Sequence, residues 1–223
     1  VRFVAALAVL LVCYQTWIFI KVWRLRTHNP QTTAFMREGL ERLREHNPRA
    51  RLDHRWVPYE RISPWLKRAV IAAEDQKFLD HHGFDVEAIE KAYEKNARHR
   101  NVRRGGSTIS QQLAKNLFLS PSRSYLRKLH EAMITVVLEH VLTKRRILEI
   151  YLNVVEWGSG IYGAEAASQH YFERPAFDLS RAEAARLASM LPSPRSYTGD
   201  PYTPYLDERT DSLRDEMEHM RIP

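Results

Sequence analysis

A single cysteine, Cys13, in 223 residues removes two kinds of architecture at once. No disulfide can close within the chain and no thiolate set can hold a metal, so the fold has to rest on its hydrophobic core. No internal repeat is present, which excludes a solenoid, and no series of alternating strand patterns. Acidic residues are in deficit: 27 Asp and Glu face 34 Lys and Arg, a formal charge of +7. That balance favours anionic partners, whether nucleic acid, phospholipid headgroups or a phosphorylated substrate.

Charge is absent altogether from residues 3–20, where only Gln15 and Thr16 are strongly polar. Eighteen helical residues reach about 27 Å, close to a bilayer core of about 30 Å. Trp17 and Trp23, with Lys21, Arg24 and Arg26, form an interfacial belt with snorkelling cations. No small-x-small cleavage site follows before the basic cluster, which argues for a retained anchor over a cleaved signal. Basic residues are more numerous on the C-terminal side of the span, which the positive-inside tendency would place in the cytoplasm; charge alone leaves the orientation open.

The remainder reads as mainly α. The chain divides into an anchor with its basic flank at 1–26, a polar connector at 27–55, a globular domain at 56–200 and a C-terminal segment at 201–223. The connector contains a short amphipathic pattern at 33–45. Residues 55–64 read as extended or turn structure because their prolines discourage helix before them. Ser63-Pro64 then starts a helix. Further helices are expected at 85–97, 108–118, 124–142, 144–153, 162–171, 180–190 and, mostly polar, 205–220. A capping box runs from Ser180 to Glu183.

Four stretches could carry chemistry. In the helix from Pro64, Leu66, Val70 and Ala73 make an apolar stripe, and Glu74 follows Val70 by four residues onto the same side. A carboxylate desolvated there has a raised pKa suited to a general base or acid; the alternative is a helix-end glutamate satisfied by a salt bridge or amides. His81 and His82, with Asp80 and Asp85, have no standard zinc spacing and read as a helix end beside Gly83. In "RRGGSTISQQLAKN", residues 103–116, Gly105-Gly106 precede a helix whose Thr108 and Gln111 have capping-box spacing. Its free N-terminal amides could hold an anion, or the helix could simply be capped; the order Gly-x-x-x-x-Gly-Lys of a P-loop is missing. Gln111, Gln112 and Lys115 add a polar stripe. In the third stretch, 122–153, Glu131 joins the apolar face through Ile134 and Leu138, with Arg123, Arg127 and Lys128 close by. Cations in the first turns oppose the helix dipole, which points to a purpose other than helix stability, although an Arg–Glu pair within the fold is the plain alternative. The glycines and aromatics of "EWGSGIYGAEAASQHYF", 156–172, could shape a sugar cleft or only a tight turn.

These stretches closely resemble the biosynthetic peptidoglycan glycosyltransferases, the transglycosylase domain of class A penicillin-binding proteins and their monofunctional relatives (glycosyltransferase family 51). "EDQKFLDHHGFD", "GGSTISQQLAKN", "RKLHE", "KRRILEIYLN" and "WGSGIYGAEAASQHYF" follow the family's five motifs in order across residues 74–172. One departure is His130, where some relatives carry a lysine. The resemblance implies a lysozyme-like glycosyltransferase domain that polymerises lipid II with inversion. It makes Glu74 the base for the acceptor hydroxyl, and puts Glu131, with Lys115 and Arg123, around the diphosphate. Ser107, Gln111, Gln112, Asn116 and Arg127 are carried over as donor-side binding or structural positions. It further implies a divalent cation, Mg2+ or Mn2+, assisting at the diphosphate, and no metal ligands among the site residues. The expected partners are lipid II, the lipid-linked glycan strand, the membrane, and cell-wall synthesis or division proteins, with no nucleic acid. The expected place is the cytoplasmic membrane, single-pass, with the catalytic domain outside. The chain after Pro194 is too short for a transpeptidase domain, so a monofunctional enzyme is expected. Its rivals are a peptidoglycan-cleaving enzyme, which has no use for a diphosphate site, and a catalytically silent membrane scaffold.

Overall fold

The computed structural model describes residues 2–98, 106–120 and 124–223, with backbone alone at 2–5, 7, 8, 93 and 95–98. Ten α-helices and one small three-stranded sheet stand among these residues, so the chain is mainly α, as expected.

Local chemistry sets where the helices begin. Ser63 Oγ accepts the Trp65 amide and Pro64 occupies the first turn of α3 (Pro64–Glu74). Reciprocal capping boxes open α5 (Ile109–Phe118) at Thr108 and Gln111, and α9 (Arg181–Met190) at Ser180 and Glu183. Such caps stabilise a helix by about 1 kcal/mol each, because they satisfy amides that have no intrahelical acceptor.

Packing then follows the apolar faces. α5 crosses the middle of the molecule, burying Ile109, Leu113 and Ala114 against α6 (Tyr125–Val141) and α7 (Lys144–Val154). Ala184, Ala185 and Ala188 are fully buried in α9, and their small side chains let it lie close against α3 and α10 (Pro204–Glu216). α4 (Val86–Arg98) and α8 (Ala164–Phe172) complete the domain.

The sheet was not legible as alternation because its strands have two or three residues. β1 (Asp53–His54) pairs parallel with β3 (Ile161–Tyr162), which pairs antiparallel with β2 (Glu156–Gly158). Gly163, at φ +86°, turns the chain into α8; a Cβ there would stand 2.6 Å from the Asn153 carbonyl oxygen, so the position excludes a side chain twice over. Asn153 is itself buried and holds the 55–58 segment: its amide oxygen accepts from Val57 N–H at 2.9 Å and its amide nitrogen donates to Val57 O at 3.0 Å.

The connector is more than a tether. It folds as α2 (Ala34–His46), which packs on α5 with Thr33 and Met36 buried. Gly39 lies under the Tyr162 hydroxyl, which donates to Phe35 O at 3.2 Å. α1 (Arg2–Arg24) docks through its second half. Ile18 and Val22 are buried, the Tyr14 hydroxyl meets His130 Nε2 at 2.6 Å, and Gln15 donates to the Met133 sulfur at 3.6 Å. Among the described residues, no helix is long and apolar enough to cross a membrane.

Candidate active site

Glu74 is the last residue of α3, at the edge of the buried stripe formed by Leu66, Ala69 and Val70. Protein surrounds its carboxyl on most sides while some solvent access remains. Gln112 of α5 donates to Glu74 Oε2 at 2.6 Å, and the Tyr151 hydroxyl of α7 donates to Gln112 Oε1 at 3.0 Å. Three helices are thus tied through one amide. The carboxylate fixes which way that amide points, since an acceptor-only group must meet the NH2 end, which leaves the carbonyl end to accept from the hydroxyl. Tyr151 is fully buried, and burial raises its hydroxyl pKa well above the ordinary value, so it stays a donor.

The second Glu74 oxygen, Oε1, takes no hydrogen bond among the described residues. Burial pushes the Glu74 pKa up; the Gln112 hydrogen bond and the charges of Arg209 and Lys115 oppose that, while Asp75 adds to it. A carboxylate with one oxygen held, one free and a raised pKa is equipped to take a proton from a substrate hydroxyl.

Asp75, the next residue, faces the other way. Its Oδ2 accepts the Ile109 amide at 2.9 Å and its Oδ1 meets His81 Nε2 at 2.8 Å. The Gln111 amide goes to Thr108 Oγ1, and the Thr108 amide to Gln111 Oε1. The start of α5 is therefore a capped helix whose anion is the protein's own carboxylate, and the amide-borne phosphate site that the sequence allowed is filled from within. His81 also accepts the Gly83 amide at 3.0 Å, closing the turn as expected.

Lys115, one turn beyond Gln111, shows its ammonium to a cavity of about 360 Å³ also bounded by Phe35, Gln112, Asn116, Glu156 and Arg195. Burial lowers its pKa, with Glu131 acting against that and Arg127 and Lys128 with it. No hydrogen bond holds it among the described residues; its nitrogen lies 5.3 Å from the centre of the Phe35 ring. A second cavity of about 370 Å³ is lined by Glu74, Asp75, Lys77 and Ser107.

Glu131 is only 3% exposed at its side chain and is held by Arg127, at 2.8 Å, and by Lys128. Lys128 also donates to Ser107 Oγ at 3.2 Å, linking α6 to the segment before α5. The structure thus brings Gln112, Lys115 and Asn116 to the first cavity, ties Glu74 of the second to them through Gln112, and joins Glu131, Arg127 and Ser107 through the Lys128 link. It turns Gln111 inward as a cap. Arg123, Gly105 and the basic run before it lie outside the described residues. Among the described residues, no group of three His, Cys, Asp or Glu could hold a metal ion.

The glycine-rich stretch forms the tight turn of its second reading: Gly160, at φ +79°, turns β2 into β3. Of its residues, Glu156 lines the first cavity, gripped by Arg195 through two contacts of 2.8 Å. Sequence reasoning missed Tyr151, Phe35, Arg195 and Arg209. Tyr151 carried a signal, because a tyrosine on the buried face of a helix needs a partner for its hydroxyl. The others carried none.

The family model described as Transglycosylase matches residues 41–218. The biosynthetic peptidoglycan transglycosylase of Azoarcus sp. is 57% identical over 222 residues, 100% of this chain and 96% of the relative. That of Nitrosospira multiformis is 56% identical over 210 residues, 94% and 91% of the two chains. That of Methylobacillus flagellatus is 59% identical over 189 residues, 85% and 82%.

Proposed function

Because this chain belongs to the transglycosylase family and is a glycosyltransferase of peptidoglycan biosynthesis, we propose that it polymerises lipid II with Glu74 as the base. The observation that carries the mechanism is the half-engaged Glu74 carboxylate, which lines one cavity and is tied by Gln112 to the neighbouring one that Lys115 lines. Glu74 Oε1 takes the proton of the acceptor's N-acetylglucosamine 4-hydroxyl. The freed oxygen pair bonds to the anomeric carbon of the donor's N-acetylmuramic acid, and the carbon–oxygen bond to the diphosphate breaks with its pair. Undecaprenyl diphosphate leaves and the anomeric configuration inverts.

The leaving group takes on negative charge, and Lys115, which lines the donor-side cavity and has no hydrogen bond among the described residues, is placed to stabilise it. Glu131 balances the cations around it and keeps Arg127 and Lys128 in position. Mg2+ or Mn2+ would enter this reading with the diphosphate and would neutralise part of its charge. Both Glu131 oxygens are already engaged, so the residues present do not offer a resident site, and no step is routed through an ion.

The substrates are lipid-linked, and α1 supports a place at a membrane; the family's chemistry, not α1, makes that the cytoplasmic membrane with the catalytic domain outside. α1 is helical over 23 residues, about 35 Å, its residues 3–20 are uncharged, and Val9, Leu10 and Val12 are more than 60% exposed. Leu126, 80% exposed, and Leu129, 61% exposed, extend the same kind of surface along α6.

The test is incubation of the detergent-purified full chain with labelled lipid II and a divalent cation, the products resolved by size. Polymer is expected. Shortening of added peptidoglycan, with no growth from lipid II, would make the enzyme a cleaving one. A second expected result concerns Phe35. An aromatic ring near an ammonium stabilises it by about 0.5–2 kcal/mol. Phe35→Ala is expected to lower kcat/KM for lipid II by about two- to thirtyfold, with the loss in kcat, and an unchanged kcat/KM would remove Phe35 from the site.

A further inference from the structure

Where α1 meets the domain, a cavity of about 400 Å³ opens between Trp17, Lys21 and Arg24 of α1, Arg37 of α2, and Leu117 and Phe118 of α5. No carboxylate lines it. Lys21, Arg24 and Arg37 form no ion pair among the described residues, whereas Arg146, Arg181, Arg186 and Arg195 each hold one. Three like charges facing one concavity repel each other, and an anion seated between them removes that cost.

The cavity is built before any ligand arrives. Arg146 of α7 donates through Nε to Leu25 O at 2.7 Å and through its terminal nitrogen to His28 O at 3.2 Å and Asn29 Oδ1 at 2.8 Å. Glu149 holds the other guanidinium nitrogen at 2.6 Å. The turn after α1, which forms the floor, is thereby fastened to the catalytic domain. Trp17 lies beside Lys21, its ring centre 5.5 Å from the ammonium, an amphipathic ring next to a cation as at a bilayer surface.

We propose that this cavity binds the phosphate of an anionic phospholipid headgroup, with the acyl chains running along the exposed side of α1 past Ile20 and Trp17. The assignment rests on the membrane-anchored reading above, which puts this end of α1 at headgroup depth. Phosphate is favoured because guanidinium and ammonium groups from two helices line one concavity that, among the described residues, no carboxylate lines. The site stands two residues beyond Lys115 on the same helix, so an occupied headgroup site would brace the α5 end that carries the catalytic cation.

The experiment uses the full chain, delipidated in detergent, and native mass spectrometry with dioleoyl phosphatidylglycerol or dioleoyl phosphatidylcholine as probes. Wild type is expected to retain the anionic lipid in preference to the zwitterionic one. K21Q/R24Q/R37Q is expected to lose about a hundredfold in that preference, and R37Q alone, which leaves α1 untouched, about fivefold. Equal retention of the two lipids by wild type, or a preference that survives the triple substitution, overturns the proposal. Displacement of phosphatidylglycerol by millimolar inorganic phosphate would make this a free-phosphate site, and stronger retention of undecaprenyl phosphate would make it a carrier site; either outcome overturns the phospholipid assignment. The same preparations are assayed on lipid II. Normal polymer without lipid preference sinks this inference alone, while lipid preference without polymer sinks the proposed reaction and leaves the site standing.

Discussion

Glu74→Gln is expected to remove lipid II polymerisation by between about a hundredfold and ten-thousandfold, the span a positioned general base contributes. The substitution keeps the shape of the side chain and an oxygen for the Gln112 amide to meet at Oε2. It removes only the capacity to take a proton. Stability is expected to move the other way or not at all. Burial raises the folded-state pKa of Glu74, so the ionised carboxylate weighs against folding at neutral pH, and a neutral amide relieves that. A melting temperature equal to or above that of wild type, with kcat lost, is the signature of a base. The wild-type pH profile follows the same sign. Activity needs the ionised form, so its acid limb is expected above the ordinary carboxylate range, rising as pH passes through the raised pKa. Polymer from the variant at the wild-type rate would take Glu74 out of the reaction, and an acid limb at the ordinary carboxylate position would show that the cleft does not desolvate it.

The helices were legible because their signals are local. Ser63-Pro64, Thr108 to Gln111 and Ser180 to Glu183 each announce a start within four residues, and the caps form where they were read. Glu74 was legible as an anomaly, a carboxylate on an apolar stripe. What holds it was not. The contact from Tyr151 through Gln112 to Glu74 spans 39 and 38 positions and exists only once α5 lies between α3 and α7. α2 was read as part of a connector for a related reason. Its contact with the domain uses Thr33, Met36 and Gly39, and a glycine pressed under a tyrosine hydroxyl leaves no hydrophobic trace in a sequence. The amides of α5 looked free because their acceptor, Asp75, stands 34 residues earlier and was read only as the neighbour of Glu74.

That acceptor leads to the other large effect. Asp75→Ala is expected to destabilise the domain by about 1.5–3 kcal/mol, the cost of losing hydrogen bonds to a charged acceptor and leaving a buried donor unsatisfied. Asp75 is 6% exposed and engages two elements at once, the Ile109 amide at 2.9 Å and His81 at 2.8 Å. Its loss leaves the Ile109 amide buried without an acceptor and takes a negative charge from the N-terminus of α5, where the helix dipole favours one. Against a total stability of about 5–15 kcal/mol this is a large share. Asp75→Asn should cost less, because one amide oxygen still accepts from Ile109 while the charge is gone. Activity should fall in the same order, since Asp75 fixes the end of α3 that carries Glu74 to the start of the helix that carries Gln112. Urea denaturation separates this residue from its neighbour: Glu74→Gln is expected to be stable and inactive, Asp75→Ala unstable and, below its melting point, partly active. An unchanged urea midpoint for Asp75→Ala would mean that α3 and α5 are held together by their apolar packing alone, and that the carboxylate beside the base has another use.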